Sequence, residues 1–234
     1  MIPVSDAVRS RTFPFVNIAL IVANFAVFIY ELTLSQGDIN RFFFDHGVVP
    51  YDLSHWVNHP AGLHEPGTII TSAFIHGGWL HILGNMLFLW VFGDNVEDAL
   101  GHLKYLAFYL VSAVGAVALQ VAIDTNGTLP MIGASGAIAG VLGGYIVLYP
   151  TARVSVLFFI VLLPVPAFLL IGFWFFLQFF AGLASIGKAT GVNQGIAVWA
   201  HVGGFVTGLA LVLLARPFIR RRPQLSGPRG RSMW

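Results

Sequence analysis

Apolar residues in this chain fall into long blocks rather than into the alternating or striped patterns of half-buried strands and helices. A membrane-spanning helix needs about 20 predominantly apolar residues. Blocks of that kind occupy residues 14–32, 79–96, 103–123, 135–149, 167–184 and 196–215. Thr12 stands where a cap for the first would sit, with Pro14 in its first turn. Residues 34–68 carry Gly37, Asp38, Asp45, Pro50, Asp52, Pro60 and Pro66, so they cannot span. Phe42, Phe43, Phe44 and Trp56 make this segment a structured loop lying partly in the membrane interface. A further apolar run, 154–163, is stopped by Pro164 and Pro166. As a helix it would be about 15 Å long, half the hydrocarbon core, so it reads as a non-spanning interfacial segment. The pattern predicts an all-α, polytopic membrane protein: a six-helix bundle forming one domain over 1–234, with a tail from 216 to 234.

Composition agrees and removes alternatives. Hydrophobic residues make up 57% and charged residues 9% of the chain, against roughly 25% charged in soluble domains. There is no cysteine, which excludes disulfides, thiolate nucleophiles and cysteine-based metal sites. The first apolar block is too long for a cleaved signal and lacks a cleavage site.

Charge tests the span count. With six spans both termini lie on one side, together with Arg9, Arg11, Lys104, Arg153, Arg216, Arg220, Arg221, Arg222, Arg229 and Arg231. Only Arg41 and Lys188 fall on the other side. The positive-inside rule therefore places both termini in the cytoplasm; a seventh span at 154–163 would send the arginine tail outside. That tail, following an apolar span, predicts contact with an anionic leaflet rather than with nucleic acid.

Ionisable and strongly polar groups inside spans are costly, so each is a functional candidate. His81 and Asn85 share a face of the second span. Gly133-Ala134-Ser135-Gly136 opens the fourth, and His201 lies early in the sixth. These three spans run in the same direction, so all four side chains lie near the outer face at one depth. A serine at a glycine-rich contact is ordinarily packing, a lone histidine can be a proton relay, and a lone asparagine is ordinarily interhelical glue. Together they compose an acyl-transfer site. Serine needs a neighbouring base, neutral imidazole is one, and Asn and His side chains can donate to a developing oxyanion. Stripes of Gly136, Gly140, Gly144 and of Ala200, Gly204, Gly208 let the fourth and sixth spans approach closely. His46, His55, His59 and His64 fall in the outer loop and His102 in a cytoplasmic turn, where histidines are unremarkable. His64-Glu65 lacks the second histidine of a zinc-protease helix, and Pro66 interrupts it. No metal or cofactor is expected. No Asp or Glu follows Asp124, so the reading is a dyad, with Asp124 the one acid able to approach it.

These residues resemble a known family. His76-Gly77-Gly78-Trp79-Leu80-His81-Ile82-Leu83-Gly84-Asn85 is similar to the H-x-x-x-x-H-x-x-x-N signature of the rhomboid intramembrane serine proteases. Gly133 to Gly136 resembles their G-x-S-G motif and Ala200-His201-Val202-Gly203-Gly204 their A-H-x-x-G, in order and spacing over residues 70–215. The resemblance, closest to bacterial six-span rhomboids, implies Ser135 as nucleophile and His201 as general base. His81, Asn85 and the Ser135 backbone N–H would form an oxyanion hole, with Gly133, Gly136, Gly204 and Gly208 in the motifs and close contacts. It implies cleavage of single-span membrane proteins beside a small residue, in a plasma or inner membrane, from a cavity open to the outer face. Three positions depart from the family pattern. Trp56 is followed by Val57 rather than Arg, Ala139 stands where an aromatic ring often stacks on the histidine, and Tyr105 replaces the last glycine after Gly93-x-x-x-Glu97-x-x-x-Gly101. A non-catalytic rhomboid-like scaffold binding client helices is the alternative. A small transporter using His81 and His201 lacks an internal repeat to support it.

Overall fold

A computed structural model describes residues 2–58, 62–185, 197–217 and 219. His59, Lys188, the start of the sixth predicted block at Ile196, and the arginines from 220 onward lie outside the described residues. The described chain is mostly helical: α1 Phe15–Glu31, α2 Gln36–His46, α3 Pro50–Asn58, α4 His64–Thr71, α5 Trp79–Leu100, α6 His102–Ile123, α7 Ser135–Leu148, α8 Ala167–Ser185 and α9 Val198–Ala215. By length and apolar content α6, α8 and α9 can each cross a membrane. Residues 64–74 and α5 pass the same test together, bent by 83° at the break between them, and make a fourth candidate if the pair is one span. Helices α1 and α7 are apolar but shorter. This is a polytopic membrane protein with three to four candidate spans.

The all-α expectation is corrected at two places. Strands β1 (Ile2–Asp6), β2 (Arg153–Phe158) and β3 (Val161–Pro166) form an antiparallel sheet in the order β1-β2-β3. The segment 154–163, expected as a non-spanning interfacial stretch, forms a β-hairpin and not a helix. Val154 and Val156 point inward while Arg153 and Phe158 are exposed, a period-two pattern too short to outweigh the apolar run. Pro164 and Pro166 sit on an edge strand, where a missing N–H is tolerated.

Small residues decide which helices meet. A Cβ built on Gly204 would lie 1.9 Å from the Gly136 carbonyl oxygen, and one on Gly208 2.1 Å from that of Gly140. Gly143 meets the Phe205 carbonyl in the same way, at 2.2 Å. Helix α6 joins them, since a Cβ on Gly203 would fall 2.6 Å from the Gly115 carbonyl oxygen. Helix α7 is therefore enclosed, with every residue from Gly136 to Tyr145 buried.

The two ends of the bundle are tied by polar contacts. Thr12 does not cap α1. Its N–H and hydroxyl both donate to Asp98, while the first free N–H groups of α1, on Val16 and Asn17, donate to the Glu97 carboxylate of α5 at 3.0 and 2.8 Å. A carboxylate at a helix N-terminus meets both its unpaired donors and its dipole. The same carboxylate accepts from His102, so that histidine is not merely solvated. Tyr105, in place of a small residue, donates to Asn17 Oδ1 at 2.8 Å. Gly93 makes the room: a Cβ there would stand 2.0 Å from that oxygen. Asp6 accepts from Tyr145 and from Asn95 Nδ2, tying β1 to α7 and α5. At the other end, the described part of the segment after α1 holds the three short helices α2, α3 and α4. Val48 and Met131 exchange backbone hydrogen bonds of 3.0 and 2.7 Å, and the Gly133 N–H donates to the Ser72 carbonyl at 2.8 Å. The segment carrying α2 to α4, with the turn after it, thereby clamps the chain that leads into α7.

Gly208→Val forces a side chain into the Gly140 backbone, so the thermal midpoint in detergent should fall by an amount matching at least the 1–3 kcal/mol, roughly, of ordinary overpacking; an unchanged midpoint would mean the helices are not in contact. Desolvation pushes the Asp6 carboxyl up from 3.8 to about 7, against the opposing hydrogen bond from Tyr145. Because the folded value is the higher, the folded state binds more protons between about pH 4 and 7, and stability is lost as pH rises through that window. Asp6→Asn should thus gain in thermal midpoint relative to wild type between pH 5 and 8; a pH-independent difference would show a solvated carboxyl.

Candidate active site

Ser135 is the first residue of α7 and His201 lies in the first turn of α9. The close glycine contacts between the two helices bring them together: His201 Nε2 is 2.8 Å from Ser135 Oγ. The first N–H groups of α7 have no acceptor within the helix, because the earliest helical bond is Ile138 N–H to the Ala134 carbonyl. They add their partial positive charge beside Ser135.

Gly133 explains how the second span reaches this point. Its φ of +119° is a conformation that side chains rarely adopt, and a Cβ there would stand 2.6 Å from His81 Nε2 and 3.7 Å from Asn85 Nδ2. Both donors of α5 thus lie against the backbone two residues before the serine. His81 accepts from the Gly77 N–H at Nδ1, 3.4 Å away, which leaves its hydrogen on Nε2, the atom facing Gly133. Asn85 Nδ2 gives one hydrogen to His76 Nε2 at 2.9 Å, leaving the second for the site. The four residues singled out in the sequence, Ser135, His201, His81 and Asn85, therefore converge, with Gly133, Gly136, Gly204 and Gly208 permitting the approach.

Several neighbours were not singled out. His76 is buried, bonds Asn85, and is itself fixed by the Glu31 carboxylate, which accepts its backbone N–H at 3.1 Å. Its place in the signature spacing marked the histidine but gave no partner. Gln178 of α8 has its Oε1 2.9 Å from His201 Nδ1, and the Trp174 ring lies 5.9 Å from the imidazole, centroid to centroid, tilted by 46°. Gln120 of α6 accepts the Ala200 N–H at 3.2 Å and steadies the start of α9. The sole sequence signal for Gln178 and Gln120 was an amide within an apolar span. Asp124 lies at the C-terminal end of α6, with its carboxylate beside Gly127, and not beside His201. A small cavity of about 40 Å³ adjoins Ser135, lined by Ser72, Ala73, Ala116, Met131 and Gly133 among others. Among the described residues no cluster of His, Cys, Asp and Glu has metal-binding geometry.

Fold and site together define a multi-pass membrane protein with a serine and a histidine hydrogen-bonded between two glycine-packed helices. Residues 64–218 match the Rhomboid domain family, and the chain belongs to the rhomboid family. It is similar to RHOMBOID-like protein 4 of Arabidopsis thaliana (28% identity, 70% of this chain and 38% of the relative). Rhomboid protein 1, mitochondrial, of Saccharomyces cerevisiae matches at 33% identity over 61% of this chain and 40% of the relative. RHOMBOID-like protein 12, mitochondrial, of Arabidopsis thaliana matches at 31% identity over 81% of this chain and 55% of the relative. The chain thus spans about two fifths to just over half the length of these relatives.

An acid that orients a catalytic histidine is worth about ten-thousand-fold in a soluble triad protease. Asp124→Asn should instead change the cleavage rate by less than about tenfold, measured with a model transmembrane substrate in detergent. A collapse in turnover at unchanged thermal stability would reinstate the acid.

Proposed function

We propose that this protein is an intramembrane serine endopeptidase that cuts single-span membrane proteins within or near their transmembrane segment. The observation carrying this reading is the 2.8 Å contact between Ser135 Oγ and His201 Nε2, with the His81 and Asn85 donors against the adjoining Gly133. In the proposed reaction His201 Nε2 takes the hydroxyl proton as Ser135 Oγ attacks the scissile carbonyl carbon. Negative charge builds on the carbonyl oxygen, where the Ser135 N–H, His81 Nε2–H and Asn85 Nδ2–H donate to it. His201 then delivers its proton to the departing amide nitrogen. Water, deprotonated by His201, releases the acyl group from Ser135.

The membrane arrangement proposed is six spans, α1, α5, α6, α7, α8 and α9, within a single rhomboid domain over 1–234, both termini on the basic side and the site opening to the other. At 17 residues α1 can cross with modest mismatch. Helix α7, at 14 residues, is about 21 Å long against a core of about 30 Å. Because α7 is enclosed by protein, its shortness costs no exposed backbone and leaves space above Ser135 for the water that hydrolysis requires. A cavity of about 40 Å³ holds about three waters or a small side chain, which favours cleavage beside small residues. Substrate spans weakened by Gly, Pro or polar residues expose a carbonyl most readily. Two of the similar proteins carry "mitochondrial" in their names, so the bacterial inner-membrane assignment rests on the resemblance and the charge asymmetry.

Ser135→Ala and His201→Ala should each abolish cleavage of a model span, and the double variant should match the singles because the two act as a unit. His81→Ala and Asn85→Ala should each slow turnover by about 100- to 1000-fold, the usual effect of losing one oxyanion donor. Full cleavage by Ser135→Ala in a purified, reconstituted assay would sink the serine mechanism.

A further inference from the structure

A base that takes a proton from Ser135 must present a bare Nε2, so the imidazole hydrogen has to sit on Nδ1. Which ring nitrogen carries it is set by the hydrogen bond the other makes. In soluble triads a carboxylate fills that place, but no Asp or Glu follows Asp124 in this chain, and Asp124 is elsewhere. What stands at Nδ1 is Gln178 Oε1, 2.9 Å away. An amide oxygen can only accept, so this contact requires hydrogen on Nδ1 and leaves Nε2 free.

Gln178 is conspicuous in its helix. From Ala167 to Ser185 the sequence is AFLLIGFWFFLQFFAGLAS, in which Gln178 is the one amide side chain. An amide in a span is unfavourable unless partnered. Interhelical glue alone would be met by any acceptor or donor on α9; the partner here is the ring nitrogen opposite the serine. Trp174, one turn earlier on the same face, contacts the same ring at 5.9 Å. Two independent contacts from α8 thus restrain His201, one fixing its tautomer and rotation, the other its tilt. They occupy the role left open by Ala139.

Resting on Ser135 and His201 as nucleophile and base, we propose that Gln178 is the positioning residue of this reaction: its amide oxygen holds the Nδ1–H of His201 and, with Trp174, aims Nε2 at Ser135. An amide orients but carries no charge to stabilise imidazolium, so its removal costs less than the loss of a triad acid. The dependence also links α8 to the chemistry, since displacing α8 would release the base.

The test compares wild type, Gln178→Leu and Gln178→Glu in one reconstituted assay, with Ser135→Ala as the blank. Cleavage of a model span gives kcat and KM, and fluorophosphonate labelling of Ser135 reads nucleophile activation without a peptide substrate. Gln178→Leu should lower kcat by about 10- to 100-fold, well short of the ten-thousand-fold of a triad acid, with KM nearly unchanged and labelling slowed by the same factor. Gln178→Glu, which keeps an acceptor, should recover most of that rate. Its acid limb should move to higher pH, because a carboxylate favours imidazolium. The proposal is overturned if Gln178→Leu keeps the wild-type kcat, if it loses cleavage but labels normally, or if Gln178→Glu is as impaired as Gln178→Leu. If Gln178→Leu does not fold, nitrogen NMR of histidine-labelled wild type decides instead, with the His201 signals assigned by their loss in His201→Ala. Hydrogen on Nδ1 supports the proposal and hydrogen on Nε2 overturns it. A wild type that labels no faster than Ser135→Ala would instead defeat the protease reading on which the proposal rests.

Discussion

The contact of backbone on backbone between α7 and α9 is the constraint from which the rest follows. Lipid tails are as apolar as leucine, so helices inside a membrane gain little from hydrophobic burial and associate through close packing and hydrogen bonds. Glycine gives the closest approach available: Gly204 over the Gly136 carbonyl, Gly208 over that of Gly140, and Gly143 under Phe205. Ser135 has a short side chain and His201 a rigid one. Their 2.8 Å contact exists only while the two helix axes stay this near, and one added methyl at the crossing would separate them. Helix α6 closes the third side through Gly115 and Gly203, so the pair is held by a three-helix core.

That core fixes two side chains, whereas the donors opposite them depend on the segment before α7. Residues 130–134 are not helical. They are held by backbone hydrogen bonds to Val48, between α2 and α3, and to Ser72, just after α4, so the segment carrying the three short helices frames the serine's approach strand and is not a passive loop. Gly133, in a backbone conformation suited to glycine, then lets His81 and Asn85 lie against the chain. At the opposite end Glu97, Asn17, Tyr105 and Asp6 join α1 and β1 to α5, α6 and α7. Each of these four side chains meets a partner on another element, which is how buried polar groups become specific and not merely costly.

The membrane setting also explains the choice of an amide beside the imidazole. A carboxylate at Gln178 would have to remain ionised on a helix whose other face is lipid, and intramembrane acids are expensive. Glutamine supplies the acceptor without the charge. In the proposed reaction the orientation of the base would be kept and the electrostatic support for imidazolium given up, leaving the oxyanion donors and the dipole of α7 to supply more of the transition-state stabilisation.

Local pattern was enough for much of this. Apolar blocks marked the long helices, the arginine asymmetry gave an orientation to test, and the expectation of three spans running the same way grouped His81, Asn85, Ser135 and His201, which the fold brings together. Glycine stripes at helical spacing foretold which helices touch. These are properties of a segment by itself, or of its direction across a bilayer, so sequence carries them. What the sequence did not disclose are partnerships between residues far apart along the chain. β1 pairs with residues 154–157, about 150 positions away, and its partner hairpin hid inside an apolar run. Thr12 looked like a cap, but the α1 donors turned to Glu97, which is invisible to local periodicity. His76, in the turn before α5, was marked by its spacing without a partner, and Gln178 and Trp174 were readable as packing residues of α8. Only the tertiary arrangement decided that one meets Asn85 and the other two meet His201, because a hydrogen bond depends on where two backbones come to lie and not on the residues beside it in the chain.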